Sequence, residues 1–246
     1  MGKRKYEEAV EKDYYMNELR LGPIFIRNRF LIALYNFAES RLGIREILDL
    51  EIFYKLAPSH LGIFSCFGGI TFFLFTIQII TGTLLLVYYV PTTAQAYESI
   101  VHITNNVPFG WLIRGFHHWG ANLMIITVFI HMGKIYFHGI YKNPRELNWI
   151  TGVVLLMTTL SFSFTGYLLP WTQLSYWATV VGTEIPSAVP VIGDYIKFLL
   201  RGGMDISQVT LTRFFAVHVM VLPAAIVVFI GLHILMIRRQ GISGPL

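Results

Sequence analysis

The chain has 246 residues, of which 54% are hydrophobic and only 13% charged, and its mean hydropathy is +0.58. A soluble domain carries about 25% charge, so this composition is that of a membrane protein, and the net charge of +5 reports on topology and lipid head groups rather than on nucleic acid. The single cysteine, Cys66, excludes an intrachain disulfide and any thiolate cluster supplied by this chain alone.

Residues 1–58 precede any membrane-length apolar run. They hold ten of the 19 Lys and Arg. The first twenty residues are charged and mixed in sign, with no apolar core before a cleavage site, and read as lacking a signal peptide. Phe30, Leu31, Leu34, Phe37, Leu42, Ile44, Ile47, Leu48 and Leu50 recur at helical spacing. This predicts an amphipathic helix lying on the membrane surface; the plainer alternative is a solvated arm with a few apolar contacts. Pro58 ends the pattern.

Residues 59–246 form the membrane domain. Spanning helices are predicted at about 61–89, 111–137, 149–169 and 214–237, each long enough to cross the bilayer. The first loop, 90–110, has no Lys or Arg, whereas the second, 138–148, has Lys142 and Arg145 and the C-terminal end has Arg238 and Arg239. The positive-inside rule then puts both termini and the second loop in the cytoplasm. The third loop, 170–212, lies outside, and its prolines and glycines predict short surface helices and turns.

The second span carries Phe116-His117-His118-Trp119 and, 14 residues after His117, His131. Fourteen residues rise roughly 21 Å and fall about 40° short of four turns, so both imidazoles leave one helix face at two depths. The fourth span carries His218 and His233, 15 residues apart, about 60° past four turns. Ring nitrogens in such apolar segments are costly unless something binds them. The second and fourth spans run in the same direction, so His117 pairs with His218 and His131 with His233, giving two levels with two axial imidazoles each. Axial ligation of two haem irons fits this pattern. Tetrahedral zinc wants four ligands together, and core histidines bonded to carbonyls do not explain four at matched depths. Gly68 and Gly82 in the first span, and Gly152 and Gly166 in the third, repeat the 14-residue interval. Glycine admits a bulky partner close to the backbone, as would a haem; ordinary close helix packing explains a glycine but not the shared interval.

Six stretches carry a family resemblance: Cys66-Phe67-Gly68-Gly69-Ile70-Thr71, Gly110-Trp111-Leu112-Ile113-Arg114, Pro144-Arg145-Glu146-Leu147-Asn148-Trp149, Gly166-Tyr167-Leu168-Leu169-Pro170-Trp171, Thr210-Leu211-Thr212-Arg213, and the run from Met236 to Leu246. Over about residues 55–246 the sequence resembles the cytochrome b family of quinol–cytochrome c oxidoreductases, most closely its short, four-helix b6 branch. The resemblance implies an all-α membrane protein: a four-transmembrane-helix bundle enclosing two stacked haems, with an N-terminal amphipathic helix.

It implies that His117 and His218 ligate an outer haem b, and His131 and His233 an inner one. Arg114 and Arg213 match arginines near haem propionates, and Arg238 one near the inner quinone pocket. His118 stands where the branch usually has arginine. Cys66 is, on its own, a small hydrophobe in an apolar helix; the resemblance implies that it attaches a third, c-type haem through one thioether. Tyr167, Pro170 and Trp171 match half of an outer quinol pocket, with Thr172 where Asp is usual. The other half, with a Pro-Glu-Trp-Tyr motif, belongs to a separate subunit of about three helices. A Rieske iron–sulfur protein, a cytochrome c-type subunit, membrane lipids and a homodimeric assembly are the remaining partners implied, in a cytoplasmic or thylakoid-like membrane. The activity implied is a Q cycle moving electrons between outer and inner quinone sites. The rival class is a di-haem anchor subunit of a quinone-linked dehydrogenase.

Overall fold

A computed structural model describes residues 19–21, 24–42 and 63–240. The chain divides into two compact units, Met1–His60 and Leu61–Leu246. In the first, β1 (Leu19–Leu21) pairs antiparallel with β2 (Ile24–Ile26) in the register Leu19 to Ile26. Helix α1 (Arg29–Leu42) follows. Its start is set by Asn28, whose Oδ1 accepts from the Phe30 and Leu31 amides, occupying N–H groups that have no partner within the helix. Phe30, Leu31, Leu34 and Phe37 are all exposed. The expected continuation through Ile44, Ile47, Leu48 and Leu50 lies outside the described residues.

The second unit is helical. A 3₁₀ turn (Ile63–Cys66) leads into α2 (Phe67–Leu86). Then come α3 (Ala96–Asn105), α4 (Gly110–Phe137), α5 (Glu146–Leu168), α6 (Gln173–Glu184), α7 (Gly193–Arg201) and α8 (Gln208–Gln240). Four of these, α2, α4, α5 and α8, are long and apolar enough to cross a membrane. They match the four expected spans, with shifted ends. Helix α8 starts six residues before the expected 214, because Gln208, Thr210, Thr212 and Arg213 are too polar to register as span. Its first turn is nonetheless closed by a capping box in which the Ser207 amide donates to Thr210 Oγ1 at 3.0 Å.

Helix α3 was not expected in the first loop. It buries Ala96, Ser99 and Ile103 and packs on α4. Gly110, which opens α4, has no room for a Cβ against the Ile103 carbonyl. The third loop does form short helices. Thr172 is the N-cap of α6, its Oγ1 accepting from the Ser175 amide at 3.2 Å, so threonine in place of aspartate keeps the capping role.

Helices α2 and α4 pack as one pair and α5 and α8 as another. Leu74, Phe75, Met124 and Ile226 form a buried cluster at mid-height, with Ile77, Leu155, Phe162 and Ile230 against it. A second cluster, Ala96, Leu168, Leu211 and Phe214, seals the end carrying the first and third loops; Tyr89 and Trp171 pack on it.

Arg201 anchors the third loop. It is only 4% exposed, and it donates to Thr183 Oγ1, the Val180 and Met204 carbonyls and Glu184 Oε1. Lys197 meets the same carboxylate at 2.7 Å, and that hydrogen bond first of all holds the Glu184 carboxyl below the ordinary carboxylate range. A lowered folded value means that this anchor is complete above the unfolded carboxylate pKa and is lost as pH falls through the folded one. Arg201→Met, which strands several buried acceptors, is expected to cost about 2–4 kcal/mol locally. Hydrogen exchange should show faster α6 and α7 amides, with the spanning helices unchanged.

Candidate functional site

Four half-buried histidines, two on α4 and two on α8, lie at two levels of the helical unit. Each ring rests on a glycine of the neighbouring helix. A Cβ built on Gly82 would lie 3.1 Å from His117 Cε1, and on Gly68 2.9 Å from His131 Cε1. On α5 the same test places Gly166 2.6 Å from His218 Cε1 and Gly152 3.5 Å from His233 Cε1. The 14-residue glycine interval is therefore the spacing of two imidazole seats. Each glycine admits the ring of a histidine.

The residue before three of the four glycines completes the seat. Thr81 Oγ1 lies 2.9 Å from His117 Nδ1, Thr165 Oγ1 3.0 Å from His218 Nδ1, and Thr151 Oγ1 3.1 Å from His233 Nδ1. Each of these hydroxyls already donates its single proton to a backbone carbonyl: Thr81 to Ile77, Thr165 to Ser161 and Thr151 to Asn148. A hydroxyl has one proton and two lone pairs, so it must accept from the ring. At His218 and His233 Nδ1 is then the protonated nitrogen, and Nε2 keeps its lone pair; at His117 the Gln78 amide reaches Nδ1 as well. At the fourth seat Phe67 precedes Gly68.

The rings pair across the two helices. His117 lies near His218, and His131 near His233. Phe162 stands edge-on to His218 at 5.3 Å and 79°. Between the levels lies the Leu74–Phe75–Met124–Ile226 cluster; Met124 is seven residues from both His117 and His131. Gln78 adds a clip at the first level. With its amide oriented by its neighbours, Nε2 donates to the His117 carbonyl at 2.9 Å and lies 3.2 Å from His117 Nδ1, and Oε1 accepts from the Ala121 amide at 3.1 Å. It lies against Gly120, which has no side chain to block it.

These residues fit a pair of axially ligated haems. They supply two imidazoles per level, threonine partners for three ring nitrogens, and apolar walls. Tetrahedral zinc has no donor set here: among the described residues no three His, Cys, Asp or Glu gather to hold a metal.

His118 points away from the seats, is exposed, and packs its ring edge on Trp119 at 5.4 Å. Arg114, one turn before His117, is exposed, and so are Arg213 and Arg238. Arg213 donates to the Leu199 carbonyl and so ties α8 to the third loop. Cys66 is a free, exposed thiol at the end of the 3₁₀ turn, two residues from the seat of His131. Beside it Lys134 Nζ donates to Ser65 Oγ at 3.0 Å. Tyr167 is 45% exposed. Trp171 adopts a positive φ of 51°, which turns its ring edge-on to Tyr176.

Two features escaped the sequence reading. The three Thr-Gly pairs were visible as a repeat, Thr81-Gly82, Thr151-Gly152 and Thr165-Gly166, but a threonine within an apolar helix carries no signal by itself. Gln78 is the one amide in the middle of the first span, and its polarity there was the available sign.

A family described as Cytochrome b/b6/petB matches residues 52–241. The chain is 50% identical to the cytochrome b6 of Synechococcus elongatus over 212 residues, which is 86% of this chain and 98% of that protein. It is 49% identical to the cytochrome b6 of Tupiella akineta, covering 87% and 99% of the two chains. Among solved structures, a chain of a "Hyperthermophilic respiratory Complex III" superposes with a TM-score of 0.78 at 36% identity, over 85% of this chain and 56% of the other. The chain thus belongs to the cytochrome b/b6 family and is a haem-binding membrane subunit of a quinol oxidoreductase complex.

Proposed function

We propose that this subunit conducts electrons between an outer quinol-oxidising site and an inner quinone-reducing site of a proton-translocating Q cycle. The observation that carries this reading is the set of histidine seats in one shared phase, three of them with a threonine hydroxyl at Nδ1. His117 and His218 would hold the outer haem b, and His131 and His233 the inner one. Bound haem iron supplies a reversible one-electron couple.

The residues do the rest. Thr81, Thr165 and Thr151 fix the rings and strengthen them as donors. The glycines bring the rings against the helix backbones, and the mid-height apolar cluster keeps water from between the levels. Arg114 and Arg213 would neutralise carboxylates at the outer level, where an anion in a low-dielectric site needs a cationic partner, and Arg238 would do so at the inner level.

Tyr167, Pro170 and Trp171 would form part of the outer quinol pocket, completed by a separate three-helix subunit. A Rieske iron–sulfur protein, a cytochrome c-type subunit and a second copy of the complex are the further partners in this reading. Cys66, exposed beside the His131 seat, would bind a third haem through a thioether. Both termini would be cytoplasmic. The exposed apolar side of α1, with Arg27 and Arg29 nearby, supports residues 1–58 lying on the membrane surface. The di-haem anchor reading loses ground to the match with whole cytochrome b6 chains.

Reduced-minus-oxidised spectra of the purified complex test the ligand set. His131→Ala and His233→Ala should each remove only the inner haem b; loss of the outer one instead would overturn the pairing. Thr81→Val and Thr165→Val withdraw the acceptor from a ligand Nδ1–H, so redox titration should find the outer haem's midpoint raised. Haem retention should weaken by about 10–100-fold, as is typical when a ligand's supporting hydrogen bond is removed. Thr151→Val should do the same at the inner level. Cys66→Ser should abolish the haem stain that survives denaturing electrophoresis; a wild-type chain with no such stain would rule out the thioether.

A further inference from the structure

The two histidine intervals do not agree. His117 and His131 are 14 residues apart, while His218 and His233 are 15 apart. On regular helices the one-residue difference is a rotation of about 100°, enough to turn His233 away from any site that His218 shares with the other helix. Yet His218 and His233 meet α5 at residues 14 apart: Thr165 and Gly166 for one, Thr151 and Gly152 for the other. Since α5 is a continuous α-helix over Glu146–Leu168, one residue of α8 has been absorbed between the two histidines.

It is absorbed in a π-turn. Val217–Val221 has π-helical geometry, and the Leu222 amide reaches back to the Val217 carbonyl, five residues rather than four, so this turn holds one residue more than an α-turn. Two residues on, Pro223 accounts for its position. Proline has no N–H for the ladder, and in an α-helix its ring would collide with the carbonyl four residues back, Val219; the wider turn moves that carbonyl aside. Met220 and Val221 are 70% and 57% exposed, so the extra residue faces outward and fills no packed space.

We propose that the Val217–Val221 π-turn, held open by Pro223, is the positioning element that brings His233 into phase with His218. It makes a 15-residue helix segment equivalent to the 14-residue segment of α4. Neither Pro223 nor Met220 meets the haem in this scheme; both act through His233. The inference rests on His218 and His233 being ligands. If that reading failed, His233→Ala would leave both haems in place, a result independent of those below.

The test is a set of deletions in the intact complex, with the outer haem b reporting on folding. Deleting Met220 together with Pro223→Ala leaves 14 residues on a plain α-helix, and both haems should be retained with unaltered low-spin spectra. Deleting Val228 instead keeps the π-turn and leaves one residue too few, so the inner haem should be lost while the outer one stays. The reverse pattern, or loss of the inner haem in both deletions, would overturn the proposal. If the double variant also loses its outer haem, Pro223→Ala alone decides. Closing of the turn should shift the inner haem's electron paramagnetic resonance signal and midpoint potential. An unchanged signal and potential would remove Pro223 from this role.

Discussion

A neutral imidazole in an apolar helix has two nitrogens to satisfy, and everything else in the helical unit follows from how this chain satisfies them. At three of the four seats one nitrogen meets a threonine of the adjacent helix. That threonine can accept only because its own proton is already committed to a carbonyl one turn earlier. The other nitrogen, when the first carries the proton, keeps a lone pair, the form in which an imidazole can bind a metal. The threonine therefore does chemical work with a backbone hydrogen bond that elsewhere in an apolar helix would be inert.

The packing obeys the same demand. A ring can reach a threonine on the next helix only if the backbones approach closely, and the glycine after each threonine permits this. Because seats occur twice per helix, the close approaches recur after 14 residues, almost four turns. The helix pairs α2–α4 and α5–α8 are thus held at both ends of each span, with apolar side chains filling the middle. Where the count of residues fails to match, in α8, the helix changes its winding rather than giving up the seat. The third loop, pinned by Arg201 and tied to α8 by Arg213, closes one end without altering the histidines.

The spans, the two levels and the four histidines were legible because they depend on counting: charge-free stretches of membrane length and a repeated interval. Helix ends were less so. Gln208 and Thr210 begin α8 through a capping box that hydropathy does not register, and α3 is a ten-residue helix whose buried face is set by α4 rather than by its own periodicity. The Thr-Gly pairs lay in plain view, but a threonine's role turns on a neighbour from another helix. The π-turn was announced only by a discrepancy, 15 against 14, and by a proline five residues after His218.

The apolar floor between the levels has an electrical meaning. The seats are separated by roughly 21 Å along the helix, in a hydrocarbon core about 30 Å thick. Leu74, Phe75, Met124 and Ile226 form an apolar layer between them, a medium of low dielectric that screens the field little. A charge passing from one level to the other therefore traverses most of the membrane's voltage drop. At 100 mV that is roughly 1.6 kcal/mol, about seven-tenths of the full-crossing value. Four buried side chains make the passage between the two histidine levels a step that the membrane potential itself resists or drives.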